Sequence, residues 1–216
     1  MKKLLLLVMM LVVIMSCKDE KSSVGENSGE KKLPSLVLIL NGTRGDKSFN
    51  DLAYNGLEEA GEKQGNKVKA VELNSDPTKQ EPILTEFSSE KEWDVILAGT
   101  PTIREALQKV AVENPEKKFI LYDAQAEFDK YDLKNVYSQS YSQNEAAFLA
   151  GAAAAKFTSS GYENTNDKKI IGFIGGAENT TINDFLIGYI EGALYADPDI
   201  KILISYIGDF KNSAKA

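Results

Sequence analysis

The sequence predicts an α/β fold built on a parallel, doubly wound sheet, and three observations carry that reading. Short, unbroken apolar runs recur, among them "LVLIL" (36–40), "WDVILAG" (93–99) and "KFILYDA" (118–124), as expected of strands covered on both faces. Helical patterns separate them, the clearest being "TIREALQKVAVEN" (102–114). The two textures alternate regularly, which argues for a parallel sheet with helices on either side.

The remaining elements follow in order. "NDLAYNGLEEAGEKQG" (50–65) puts Leu52, Ala53, Gly56, Leu57 and Ala60 on one helical face. "KVKAVEL" (67–73) reads as a strand. "TKQEPILTEFSS" (78–89) reads as a weaker helix with Pro82 in its first turn, where a missing amide proton costs little. "NVYSQSYS" (135–142) is a more polar strand, suited to an edge, and "NEAAFLAGAAAAKF" (144–157) is helical. A polar loop, "TSSGYENTNDK" (158–168), interrupts. The pattern then restarts as strand "KIIGFIGG" (169–176), a helix over 181–196 and strand "KILISYIG" (201–208). Two parallel strands do not cover their own faces, so this second α/β unit reads as incomplete, a fragment of a longer design. The expected organisation is a leader (1–16), a flexible tether (17–34), an N-terminal lobe (35–142), and a crossover helix with a partial second lobe (143–216).

Composition narrows the function. The chain has 216 residues, of which 43% are hydrophobic and 26% charged, and its formal net charge is -7. An acidic surface disfavours a nucleic-acid partner. There is no histidine, which removes the commonest general base and metal ligand. The single cysteine excludes an internal disulfide and a thiolate zinc cluster. Neither a "G-x-S-x-G" elbow nor a metal-ligand cluster is present, so an enzyme is disfavoured and no metal or cofactor is implied.

That cysteine is informatively placed. Lys2 and Lys3 precede an apolar run from Leu4 to Met15, too short to span a bilayer well and of the right length for a signal core. The sequence Ile14-Met15-Ser16-Cys17 resembles a bacterial lipobox, in which the cysteine is lipidated and becomes the mature N-terminus. The charged, Ser/Gly-rich stretch that follows suits a tether. Acyl chains contribute roughly 0.8 kcal/mol per buried methylene, enough in combination to hold a domain at a membrane. The expected location is the extracytoplasmic face of a bacterial cell membrane.

The stretch "NGTRGDKSFN" (41–50) leaves the carboxyl end of "LVLIL", where ligands bind in open α/β sheets. Two glycines permit tight turns. Ser48 or Asn50 is placed to cap the next helix, whose first amides would face a polar ligand group. Phe49 stands alone in this polar loop. On its residues it either packs as a hydrophobic staple or shows a flat face to a ligand. Gly175 and Gly176 lack the lysine of a phosphate-binding loop.

"GDKSFNDLAYNGLEEA" resembles the signature of the basic membrane protein family, the purine nucleoside receptor A group of bacterial substrate-binding lipoproteins. "FILYDA" (119–124), "YSQNEAAFLAGAAAA" (141–155), "IGFIGGAENTTINDFLIGYIEGA" (171–193) and "YIGDF" (206–210) resemble further segments of that family in the same order. The resemblance implies a type I periplasmic-binding-protein fold, with two lobes closing on a purine nucleoside for an ABC-type importer. It implies a base stacked between one ring from each lobe: Phe49 from the first, and Phe210 or Phe185 from the second. Asp123 would accept hydrogen bonds from the base or the ribose, with Asp46 and Asn50 as further polar partners. The remaining readings are the same scaffold holding a flavin, or a surface lipoprotein acting by protein–protein contact or an inactive fragment.

Overall fold

The structure is a computed structural model that describes residues 32–163, 165, 168–210, 212, 214 and 215. The leader, Cys17 and the tether up to Lys31 lie outside the described residues.

Five short strands form one parallel sheet: β1 (Leu36–Leu40), β2 (Val68–Glu72), β3 (Val95–Gly99), β4 (Lys118–Tyr122) and β5 (Val136–Gln139). Their spatial order is β2-β1-β3-β4-β5. The chain therefore winds outward from β1 in one direction and reverses at β3. That is the doubly wound order, with its switch point between β1 and β3. Helices α1 (Phe49–Gln64), α2 (Gln80–Ser89) and α3 (Arg104–Glu113) connect the strands, and a short 3-10 turn (Pro77–Lys79) leads into α2.

Strand β1 shows why its run is continuously apolar. Val37 and Ile39 enter the larger core with Leu84, Phe87, Ile96, Leu107 and Phe119. Leu38 and Leu40 point the other way, onto Leu57 of α1. Both faces are covered, so alternation with polar residues is absent. Strand β5 sits at the edge as its polarity predicts. The face of α1 differs from expectation: Leu57 is buried, but Leu52 is 69% exposed. The buried stripe turns toward Ala53, Tyr54 and Leu57 because these meet Leu38 and Leu40 beneath.

A second unit follows. Helix α4 (Gln143–Thr158) packs on α5 (Thr180–Ala196), and β6 (Ile170–Gly175) pairs in parallel with β7 (Lys201–Tyr206). The helices meet almost backbone to backbone. A Cβ placed on Gly192 would lie 1.8 Å from the Phe148 carbonyl oxygen, and one on Gly151 would lie 2.0 Å from that of Tyr189. Only glycine permits this approach. The two-stranded sheet leaves Leu203 and Ile204, successive residues and so on opposite faces, both exposed.

Candidate functional site at the carboxyl end of the sheet

The loop after β1 is wound onto two carboxylates. Asp51 accepts from the amides of Gly45 (2.7 Å) and Lys47 (2.8 Å). Asp46 accepts from the amides of Asn50 (2.9 Å), Ser48 (3.0 Å) and Asp51 (3.2 Å), and from the Asn50 side chain (2.8 Å). Slight burial would raise the Asp46 pKa, but these bonds to the charged form outweigh it and hold the carboxyl at about 2. The cap of α1 is thus Asp46, not Ser48 or Asn50, neither of which caps through its side chain. Of the helix amides expected to face a ligand, those of Asn50 and Asp51 are occupied by the Asp46 carboxylate and that of Leu52 by the Ser48 carbonyl. Arg44 fastens the loop's outer side by pairing with Glu72 and lying 4.5 Å above the Tyr54 ring.

This loop sets Phe49 at the first position of α1 with its ring partly exposed, 37% of the residue remaining open. The ring lies 5.7 Å from that of Tyr122, tilted by 32°. Tyr122 ends β4 and lies across Gly99, the last residue of β3; a Cβ there would come within 2.2 Å of the ring. The next residue, Asp123, turns the chain with φ of +55°. Its carboxyl is half-buried and accepts no hydrogen bond from any described residue's side chain or backbone. Burial pushes its pKa up. The Tyr122 phenol is also raised, first by burial, then by the neighbouring Asp123 charge and by Tyr141.

The switch point itself is bridged. The Asn41 side chain donates to Thr102 Oγ1 (2.9 Å) and accepts from Gln80 Nε2 (2.8 Å), and the Thr100 and Thr102 hydroxyls are 2.8 Å apart. Thr100 has φ of +83°, an unusual conformation for a β-branched residue, where strain often accompanies a ligand site. Phe49, Asn50, Asp46 and Asp123 therefore share one end of one sheet. In the second unit, Phe185 lies in the first turns of α5, partly exposed. Phe210 follows β7, is 69% exposed, and rests its ring on Gly176. Sequence reading missed Tyr122, Gly99, Asn41 and Thr102.

Residues 33–216 match a family model described as ABC transporter substrate-binding protein PnrA-like, abbreviated Bmp. The chain belongs to the Bmp family. Bmp proteins are transporter substrate-binding proteins rather than enzymes. Basic membrane protein A1 of Borrelia garinii is 32% identical over 215 residues, covering 97% of this chain and 57% of that protein. The ABC transporter nucleoside-binding protein BmpA of Lactococcus lactis is 32% identical over 207 residues, covering 94% and 55%. An uncharacterized lipoprotein of Pyrococcus abyssi is 30% identical over 184 residues, covering 83% and 43%. Among solved structures, an ABC transporter solute-binding protein from Aeropyrum pernix superposes with a TM-score of 0.75 at 29% identity, covering 83% of this chain and 50% of that one. A sugar transporter structure from Clostridium phytofermentans, at 20% identity and TM-score 0.59, shares the fold. The Bmp chain described here spans about half the length of the curated relatives it matches. Among the described residues, no helix is long and apolar enough to cross a membrane, and no metal-ligand cluster occurs.

Proposed function

We propose that this Bmp chain binds a purine nucleoside and presents it to an ABC-type importer. The observation that carries the reading is the placement of Phe49 and Asp123 at one carboxyl end of the sheet, with Tyr122, the residue before Asp123, against the Phe49 ring. One offers a partly exposed flat ring, the other a carboxylate with unused acceptor positions. A purine offers a π-face to the first, and N–H or ribose O–H donors to the second. Each base–aromatic stack is worth roughly 1–3 kcal/mol, so two stacks with a few hydrogen bonds support micromolar binding or tighter. The second ring in this reading is Phe210, whose exposure and glycine seat suit it better than Phe185. The L. lactis relative is named for nucleoside binding, which supports the same ligand class.

Residues 35–142 serve in this reading as the first lobe, and 143–216 as the crossover helix and part of a second. Lipidated Cys17 is the anchor to the extracytoplasmic face of the membrane, consistent with lipoproteins among the relatives. Mass spectrometry of membrane-extracted protein should find a diacylglyceryl group on Cys17; an unmodified Met1 would end the anchoring proposal. Calorimetric titration of the purified chain with adenosine, guanosine, inosine, a pyrimidine nucleoside and riboflavin tests the ligand. Saturable binding of a purine nucleoside supports the reading, and preference for riboflavin or absence of all binding overturns it.

A further inference from the structure

The last residues of two strand pairs repeat one arrangement. Gly99 ends β3 and is registered against Tyr122, which ends β4. Gly175 ends β6 and is registered against Tyr206, which ends β7. At both places the tyrosine ring fills the space of the missing glycine side chain. A Cβ on Gly99 would lie 2.2 Å from Tyr122 Cε2 and 2.4 Å from its Cδ2 and Cζ. A Cβ on Gly175 would lie 2.6 Å from Tyr206 Cδ1 and Cε1. Carbon atoms in ordinary contact sit about 3.5–4.0 Å apart, so neither position accepts alanine while the ring stays where it is.

The direction of each ring gives the arrangement a purpose. Tyr122 does not stand up from β4; it lies over the end of β3, toward the switch point and the start of α1. There it meets the ring of Phe49, the first residue of that helix. Tyr206 lies over the end of β6, and its hydroxyl donates to Asn183 Oδ1 (2.7 Å) in the first turn of α5. In each unit a tyrosine laid across a strand-final glycine touches the helix terminus that faces the carboxyl end of its sheet. A partly exposed ring such as Phe49 would otherwise sample several rotamers, and an aromatic neighbour favours one of them by about two- to tenfold.

We infer that Tyr122 and Tyr206 are positioning residues of the ligand site, each seated on a glycine so that it fixes one helix terminus: the Phe49 ring in the first unit and the Asn183 side chain in the second. The functional consequence rests on the nucleoside reading; the geometric claim does not.

A mutant cycle on the full chain tests it, with one readout that needs no ligand. Aromatic NMR signals of labelled Phe49 should move in Tyr122→Ala and stay in Tyr122→Phe. They should also move in Gly99→Ala, but Gly99→Ala should add no further shift once Tyr122 is alanine, because the clash has gone. The Asn183 side-chain amide should move in Tyr206→Phe, which removes the hydroxyl. In titrations with adenosine, guanosine and inosine, Gly99→Ala should weaken the best-bound nucleoside about tenfold in the wild-type background and less than about twofold in the Tyr122→Ala background. Tyr122→Phe should bind within about twofold of wild type. If Gly99→Ala alone does not fold, its double variant with Tyr122→Ala must fold, since the obstructing ring is absent. Equal effects of Gly99→Ala in both backgrounds, or Phe49 signals unmoved by Tyr122→Ala, would overturn the inference. If wild type binds none of the three nucleosides, the nucleoside reading fails, and the NMR cycle alone decides whether the tyrosines position these groups.

Discussion

Two glycine-to-alanine substitutions in this Bmp chain should move stability in opposite directions, and the structure supplies the sign of each. At Gly192 a new Cβ would lie 1.8 Å from the Phe148 carbonyl oxygen and 2.6 Å from its carbon. Both are backbone atoms of α4, so no rotamer change relieves the contact. Carbon–oxygen contacts between helices settle near 3.3–3.6 Å, so α4 and α5 must separate by roughly 1.5 Å. Separation loosens Ala155 and Ala193, which are fully buried in the small core of the second unit. Overpacking of this kind costs about 1–3 kcal/mol or more, while alanine's advantage over glycine in a helix returns about 1 kcal/mol. The net expectation is a loss of up to about 2 kcal/mol or more. At Gly56 on α1 nothing lies within 4 Å of the new Cβ. There the same change should stabilise by about 0.5–1 kcal/mol, since only the entropy of the unfolded chain is altered. Urea unfolding followed by circular dichroism reads both values. Gly192→Ala at or above wild-type stability would refute the packing argument, whatever Gly56→Ala does.

Asp46→Ala should destabilise at neutral pH by about 0.5–2 kcal/mol, the range for losing a helix cap. The folded-state pKa of about 2 lies below the ordinary aspartate value of 3.8, so the stabilisation is present above the unfolded value and disappears as pH falls through the folded one. The gap between wild type and Asp46→Ala should therefore shrink below about pH 4 and close near pH 2; a gap constant through that window would show that the carboxylate is not the cap. Phe49→Ala should weaken purine-nucleoside binding about ten- to a hundredfold. Because the ring is partly exposed, its stability cost should stay below the about 3–5 kcal/mol of a buried phenylalanine, and unchanged affinity in the folded variant would make the ring structural only. Gln108 is fully buried; it accepts from the Glu127 amide (2.7 Å) and donates to Glu127 Oε2 (2.9 Å). Gln108→Leu strands that amide and should cost about 1–3 kcal/mol in a thermal or urea melt, whereas a change within error would mean that water replaces the bond.

The strands and helices were legible because periodicity and capping are local. Each helix and strand falls within two residues of the span that the sequence predicts except β5, which stops three residues short of it, and the polar β5 lands at the edge. What escaped depends on neighbours that are distant in sequence. Leu52 obeys the helical period of its neighbours, yet Ala53, Tyr54 and Leu57 take the places over Leu38 and Leu40 and Leu52 stays exposed. Ser48 and Asn50 are good capping residues, but Asp46 sits close enough to take three amides at once, and Asn50 spends its side chain on the same carboxylate. Tyr122 reads as an ordinary strand residue until the register sets it against Gly99, 23 positions earlier. A signal did exist: "LAG" with "LYD" in the first unit and "FIG" with "ISY" in the second both pair a strand-final glycine with a strand-final tyrosine. It becomes visible only once parallel pairing is known.

The wiring of the opening loop bears on which purine ligand the site would take. Helix N-termini attract phosphate because their first amides are free. Here Asp46 takes the amides of Asn50 and Asp51, and Asp51 takes those of Gly45 and Lys47 in the loop, so the positive end of α1 already faces a carboxylate. A third carboxylate, Asp123, follows Tyr122 at the end of β4, and the Tyr122 ring lies 5.7 Å from that of Phe49. Against these stand Arg44, already paired with Glu72, Lys47, and Arg104 at the start of α3, already paired with Glu127. A dianionic phosphate entering beside this loop would meet these carboxylates, and the Asn50 and Asp51 amides are already taken, whereas ribose hydroxyls would find acceptors. The site should therefore prefer a nucleoside to its 5′-monophosphate by about tenfold or more, since facing like charges is costly in a partly desolvated site. Titration with adenosine and adenosine monophosphate at low and high salt decides it. The gap should narrow as salt screens the repulsion. A monophosphate bound as tightly as the nucleoside would mean that a cation reaches the site from elsewhere in the chain, and that the carboxylates of this loop do not set the ligand's charge.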